Sequence, residues 1–153
     1  MPIAQASQAR TKDVTAYRPA PAERPRILVV DDDPINRLVA RILIEARGYE
    51  VIEAEDGEAA LAAYAETSDI GLVLMDLAMP GMDGLTAARN LRSTSRRGAT
   101  VPIVALTRHI DDNSRRNCFD AGIIGFLPKP ISAAGIESIV CLVGHGAYRA
   151  HHA

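Results

Sequence analysis

Residues 72–76 read Leu72-Val73-Leu74-Met75-Asp76, four apolar side chains in a row closed by a carboxylate. A short apolar run without alternation marks a strand covered on both faces, the pattern of a parallel sheet held between helices. The turn-forming stretch Met79-Pro80-Gly81-Met82-Asp83-Gly84 follows, so Asp76 stands at the carboxyl end of its strand. Open α/β sheets bind their ligands at that edge, and Asp76 is read as a nucleophile placed there.

Outward from this run, strands and helices alternate. Arg26-Ile27-Leu28-Val29-Val30 is a first buried strand and ends in Asp31-Asp32-Asp33. Asp33 can cap the helix that follows, with Pro34 at its first position, where the missing N–H costs nothing. Ile35, Leu38, Val39, Ile42 and Leu43 give that helix a one-sided apolar face of the kind that packs on a core. Glu50 to Ala54 read as a second strand, and Asp56 caps a second helix packing through Leu61, Tyr64 and Ala65. Beyond Asp76, Leu85, Ala88 and Leu91 mark a third helix, Ser93 to Thr100 a loop, and Val101 to Leu106 a fourth strand. Proline is tolerated near a strand start, as at Pro102. Residues 111–119 must be a fourth helix if the alternation holds, although Asp, Asn and Ser are poor helix formers. Gly125-Phe126-Leu127 is a brief fifth strand, and Ile136, Ile139, Val140 and Val143 mark a fifth helix. Five βα units in succession imply a doubly wound parallel sheet of five strands with right-handed crossovers.

A chain of 153 residues has room for one domain and flanking tails. The expected division is a flexible arm over 1–25, a domain over 26–143 and a tail over 144–153. About ten residues beyond the last helix are too few for an output domain, so a stand-alone domain is the expectation. No apolar run is long enough to cross a bilayer, and the N-terminus lacks the apolar core of a signal peptide. A cytoplasmic protein without membrane contact is expected. A net charge of −2 gives no electrostatic case for nucleic acid. Cys118 and Cys141 are too few for a disulfide framework and read as reduced residues. His145, His151 and His152 read as solvated tail histidines rather than metal ligands.

Parallel strands bring their carboxyl ends to one edge, so Asp31, Asp32 and Asp76 converge if the first and third strands are neighbours. Crowded carboxylates repel one another unless a cation sits among them. An all-oxygen site with few protein ligands suits Mg²⁺, which keeps several waters and serves phosphoryl chemistry. Thr107 offers a hydroxyl to the same edge, and Lys129 a compact positive charge. Fifteen arginines and two lysines make up the seventeen basic residues, and the other lysine, Lys12, lies in the N-terminal arm. Such a lone lysine points to an ammonium chosen over a guanidinium fork. Together these groups describe a phosphoryl-transfer site in which a carboxylate attacks phosphorus and fixed charges hold the oxygens.

Five motifs in order carry a resemblance: Leu28-Val29-Val30-Asp31-Asp32, Leu74-Met75-Asp76, Met79 to Gly84, Ala105-Leu106-Thr107, and Phe126-Leu127-Pro128-Lys129-Pro130. From about Arg26 to Val143 the chain resembles the receiver domain of two-component response regulators. The resemblance implies a flavodoxin-like fold with strand order 2-1-3-4-5. It implies that Asp76 takes a phosphoryl group from a histidine kinase or histidine phosphotransfer protein. Mg²⁺ would be held by Asp32, Asp76 and the backbone carbonyl of Ala78, with Asp31 acting through water. Thr107 and Lys129 would contact phosphoryl oxygens, and the Lys129–Pro130 peptide would be cis. Thr107 and Phe126 would form the switch, acting on the face of the fourth helix, fifth strand and fifth helix, where a downstream protein or a second copy would bind. Arg108 stands where the family has a small residue. With His109 and Ala78 it would flank the pocket mouth, and Arg108 is expected to alter the lifetime of the acyl phosphate. The motifs are also similar to those of receivers attached to hybrid histidine kinases.

Two other functions share parts of this pattern. An aspartate-nucleophile phosphatase needs a second aspartate two residues after the nucleophile, and that position is Ala78. An interaction module that is never phosphorylated would not need the full set of acids, hydroxyl and lysine. No glycine-rich nucleotide loop is present, and the expectation is a signalling domain rather than a turnover enzyme.

Overall fold

The computed structural model describes residues 24–145; the expected arm up to Glu23, with Lys12, and the tail from Gly146, with His151 and His152, lie outside the described residues. Five strands, β1 (Arg26–Val30), β2 (Val51–Ala54), β3 (Ile70–Asp76), β4 (Ile103–Thr107) and β5 (Gly125–Pro128), form one sheet in the order 2-1-3-4-5. All four pairings are parallel. The main helices are α1 (Pro34–Glu45), α2 (Gly57–Glu66), α3 (Gly84–Thr94), α4 (Asp112–Asp120) and α5 (Ala133–His145). These elements are the five βα units read from the sequence.

Period-two alternation divides the core. Leu28, Val30, Val73, Met75, Ile103 and Ala105 face α2, α3 and α4, while Ile27, Val29, Leu72, Leu74, Val104 and Leu106 face α1 and α5. β3 is buried along its length save at Gly71, as its unbroken apolar run requires. Asp33, Asp56, Asp83 and Asp111 cap α1 to α4, each accepting a backbone N–H from the first turn. These caps satisfy donors that a helix start leaves unpaired.

Four local expectations are corrected. The apolar stripe of α1 faces outward: Ile35, Leu38, Val39 and Ile42 are 63, 50, 37 and 57% exposed. Small Ala40 with Ile44 meets the sheet instead, and Arg37 and Arg41 reach down to Glu53 on β2 at 3.0 and 2.6 Å. Periodicity reports that a stripe exists, not which side it faces. On α2, Ala65 is exposed, and Ala60 beside Tyr64 fills the buried place. The 93–100 loop holds a one-turn helix, Arg96–Thr100, because Ser95 caps it by accepting from the Gly98 N–H. The tail does not begin at Gly144, since α5 runs to His145. Both cysteines are free, Cys118 buried and Cys141 exposed. No helix among the described residues is long and apolar enough to cross a membrane.

Candidate functional site

Asp31 follows β1, Asp76 closes β3 and Lys129 follows β5, so the topology delivers all three to the carboxyl edge. Lys129 Nζ lies 3.0 Å from Asp31 Oδ2 and 3.0 Å from Asp76 Oδ1. The two carboxylate side chains are 1% and 4% exposed, and charges so buried persist only when paired. Backbone amides supply the remaining contacts. Asp31 Oδ1 accepts from the Asp33 N–H at 2.9 Å, and Asp76 Oδ1 from the Ala78 N–H at 3.2 Å. Asp31 Oδ2 is sealed from solvent and accepts no hydrogen bond beyond its ion pair with the ammonium.

The charges do not balance. Burial, with the Asp31 charge, pushes the Asp76 carboxyl up, against the lowering effect of Lys129 and the Ala78 N–H. Burial would lower the Lys129 ammonium, yet the two carboxylates outweigh it and raise its pKa. One ammonium shared between two buried acids leaves Asp76 reluctant to ionise. Asp32, exposed beside them, is a third acid: oxygens of Asp31, Asp32 and Asp76 all lie within 4.8 Å of one another. That donor set, all hard oxygens and open to water on the Asp32 side, fits a small divalent cation such as Mg²⁺.

The remaining expected residues are placed around this centre. Asp76 pairs with Leu106 in register, so Thr107 stands one residue beyond that pair, at the end of β4. Its hydroxyl donates to the His109 carbonyl at 2.8 Å, while its own carbonyl accepts from the Lys129 N–H. Arg108 and His109 are exposed on the loop after β4. Arg108 makes no hydrogen bond or ion pair among the described residues. Ala78 is exposed at the rim, and the Lys129–Pro130 peptide is cis. Phe126 is half-buried on β5, edge-on to Phe119 at 5.6 Å, with the Arg115 guanidinium 4.8 Å from its ring centre. It is therefore neither sealed in the core nor fully turned out.

Two residues escaped the sequence reading. Gly84 opens α3 directly behind Asp76, where a Cβ would run into the Asp76 carbonyl. Glycine in a turn gives no hint of such an approach unless the fold is known. Arg37 donates through Nη1 to the Asp31 carbonyl at 2.7 Å and through Nε to Glu53 at 3.0 Å. An arginine among the apolar residues of α1 carries no sequence signal that it reaches a backbone carbonyl.

The family model described as the response regulator receiver domain matches residues 27–140. The sensor protein GacS of Pseudomonas syringae pv. syringae is 40% identical over 124 residues, 80% of this chain and 14% of that protein. The osmosensing histidine protein kinase SLN1 of Saccharomyces cerevisiae is 37% identical over 75% of this chain and 10% of its own length. The chain thus spans about a seventh or less of these relatives. Among solved structures, the chemotaxis protein CheY4 of Vibrio cholerae superposes with a TM-score of 0.73 at 28% identity, covering 78% of this chain and 98% of that one. The receiver domain of the sensor histidine kinase PA1611 from Pseudomonas aeruginosa gives 0.70 at 34% identity, over 78% and 97%. That structure carries a magnesium ion coordinated in its active-site cleft. Parallel sheet order, edge chemistry and family match agree: the chain belongs to the response regulator receiver domain family.

Proposed function

We propose that Asp76 is the phosphoacceptor of a two-component relay, the receiver over 26–143 taking its phosphoryl group from a histidine kinase or histidine phosphotransfer protein in the cytoplasm. The observation that carries this reading is the Lys129 ammonium held 3.0 Å from both Asp31 and Asp76 at the carboxyl edge. An Asp76 oxygen attacks phosphorus as the bond to the donor imidazole nitrogen breaks, leaving an acyl phosphate on Asp76. Lys129 then turns from the carboxylate to the new phosphoryl oxygens, and Thr107 frees its hydroxyl from the His109 carbonyl to join it. Asp31, Asp32, Asp76 and the Ala78 carbonyl would hold Mg²⁺, whose charge offsets that of the phosphoryl oxygens. Catalysis is positioning and charge rather than turnover.

The donor must cover the pocket mouth to reach Asp76. The outward stripe of α1 begins at Ile35, four residues after Asp31, and is an apolar surface of the kind that marks a protein contact. On the other side, Thr107 and Phe126 link the pocket to the face of α4, β5 and α5, for a downstream protein or a second copy. Arg108 at the mouth sets the acyl phosphate lifetime, and Arg108→Ala is expected to change the dephosphorylation rate. Equal rates would remove that role. The experiment for the main reading is incubation with Mg²⁺ and acetyl phosphate. Wild type incorporates one phosphoryl group and Asp76→Ala none; a wild type that stays unlabelled would leave an interaction module without phosphorylation as the function.

A further inference from the structure

The ion pairs of α1 are not equivalent. Arg37 and Arg41 both bond Glu53 on β2, through Oε1 and Oε2. Arg41 also pairs with Glu45 one turn along its own helix. Arg37 alone turns its second donor onto the backbone carbonyl of Asp31, at 2.7 Å. Its side chain is 17% exposed, so this contact is shielded from competing water. Asp31 and Asp32 sit in the short link between β1 and α1, where the Asp31 N–H also donates to the Ala54 carbonyl of β2 at 3.1 Å and Asp33 caps α1. Of these ties, Arg37 is the one that a side chain from α1 makes to the Asp31 carbonyl. Where the backbone of this link lies decides where two of the three acidic side chains point.

We infer that Arg37 is a positioning residue for the acidic pocket, clamping the Asp31 backbone to Glu53 so that Asp31 and Asp32 present their oxygens to a divalent cation. The inference rests on reading the pocket as a cation site. A planar guanidinium suits the role, since one rigid fork spans two acceptors on different elements. Groups one step outside a metal's ligands orient those ligands, and their loss weakens binding by about tenfold or more. The clamp has a second consequence. Arg37 lies between Ile35 and Leu38 of the outward stripe, so one side chain joins the helix that a partner would cover to the turn that carries the ligands.

Charge and position predict opposite signs, which makes the test sharp. Removing a cation near an acidic site should tighten Mg²⁺ by Coulomb's law, whereas losing the clamp should loosen it. Mg²⁺ affinity of the full chain is measured by isothermal titration calorimetry, without phosphodonor, alongside thermal melting. Arg37→Gln is expected to bind Mg²⁺ about tenfold more weakly than wild type. Arg41→Gln removes the same charge and a Glu53 contact, and is expected to bind at wild-type strength or slightly tighter, with a comparable loss of melting temperature. Arg37→Lys, which keeps the charge but not the fork, should also bind several-fold more weakly; it serves if Arg37→Gln does not fold. Wild-type affinity in the Arg37 variants, or equal weakening in Arg41→Gln, would overturn the inference. A wild type that binds no Mg²⁺ would overturn the pocket reading and the inference with it.

Discussion

Asp31 and Asp76 repel each other, and the Lys129 ammonium 3.0 Å from each offsets that repulsion. Lys129→Met would leave two buried carboxylates facing each other without a cation. Breaking a buried pair in this way costs several kcal/mol; with Asp32 opening the site to water, a loss of about 2 kcal/mol at neutral pH is expected in chemical denaturation. Added Mg²⁺ should recover part of it, since a ligand that binds only the folded state stabilises that state. Gly84 is as specific. Gly84→Ala places a methyl against the Asp76 carbonyl, an overpacking expected to cost about 1–3 kcal/mol and to depress acetyl phosphate labelling, because the backbone that must shift carries Asp76, the proposed phosphoacceptor. Normal labelling in Gly84→Ala would show that the site tolerates the shift.

Among the elements, α1 carries the least ordinary energetics, exposing its apolar residues and turning its arginines toward the sheet. Leu38→Ser and Ile42→Ser should therefore change stability by no more than about 0.5 kcal/mol, while Ile44→Ala should cost about 2–5 kcal/mol. The same two serine variants should keep acetyl phosphate labelling and slow transfer from a phosphorylated histidine protein. The ion pairs under α1 add a pH dependence. Burial would raise the Glu53 carboxyl, but Arg41 and Arg37 outweigh it and hold it below the usual range. A carboxyl depressed in the folded state contributes stability above its unfolded pKa, near 4.3, and loses it as pH falls through the folded value. Glu53→Gln should thus be destabilised by about 1 kcal/mol at pH 7, a gap that closes in acid. α1 also shows what the sequence could not disclose. Its limits and cap were legible from Asp33-Pro34 and its period, but its facing goes with Glu53 on β2, sixteen residues from Arg37 and twelve from Arg41. Ser95 made a helix where a loop was read, because a single cap within a polar stretch leaves no periodic trace.

At the scale of the molecule, sheet order and chemistry are one fact. Only with β1 beside β3 do Asp31 and Asp76 share a hollow, and both acids, the lysine and their order along the chain were visible in the sequence through strand ends alone. What stayed hidden were contacts involving the backbone: Arg37 on the Asp31 carbonyl, Gly84 behind Asp76, and the Thr107 hydroxyl on the His109 carbonyl. The outward stripe of α1 and the Arg115–Phe126–Phe119 group lie on separate elements at the two flanks of this edge. Under the proposed function, donor and target would meet different surfaces. The most direct test of the phosphoacceptor assignment is peptide mass mapping of the chain after incubation with Mg²⁺ and acetyl phosphate. One phosphoryl group on the peptide containing Asp76, lost when Mg²⁺ is chelated beforehand, is the predicted result. A label on any other residue, or none on a folded Mg²⁺-bound protein, would contradict it.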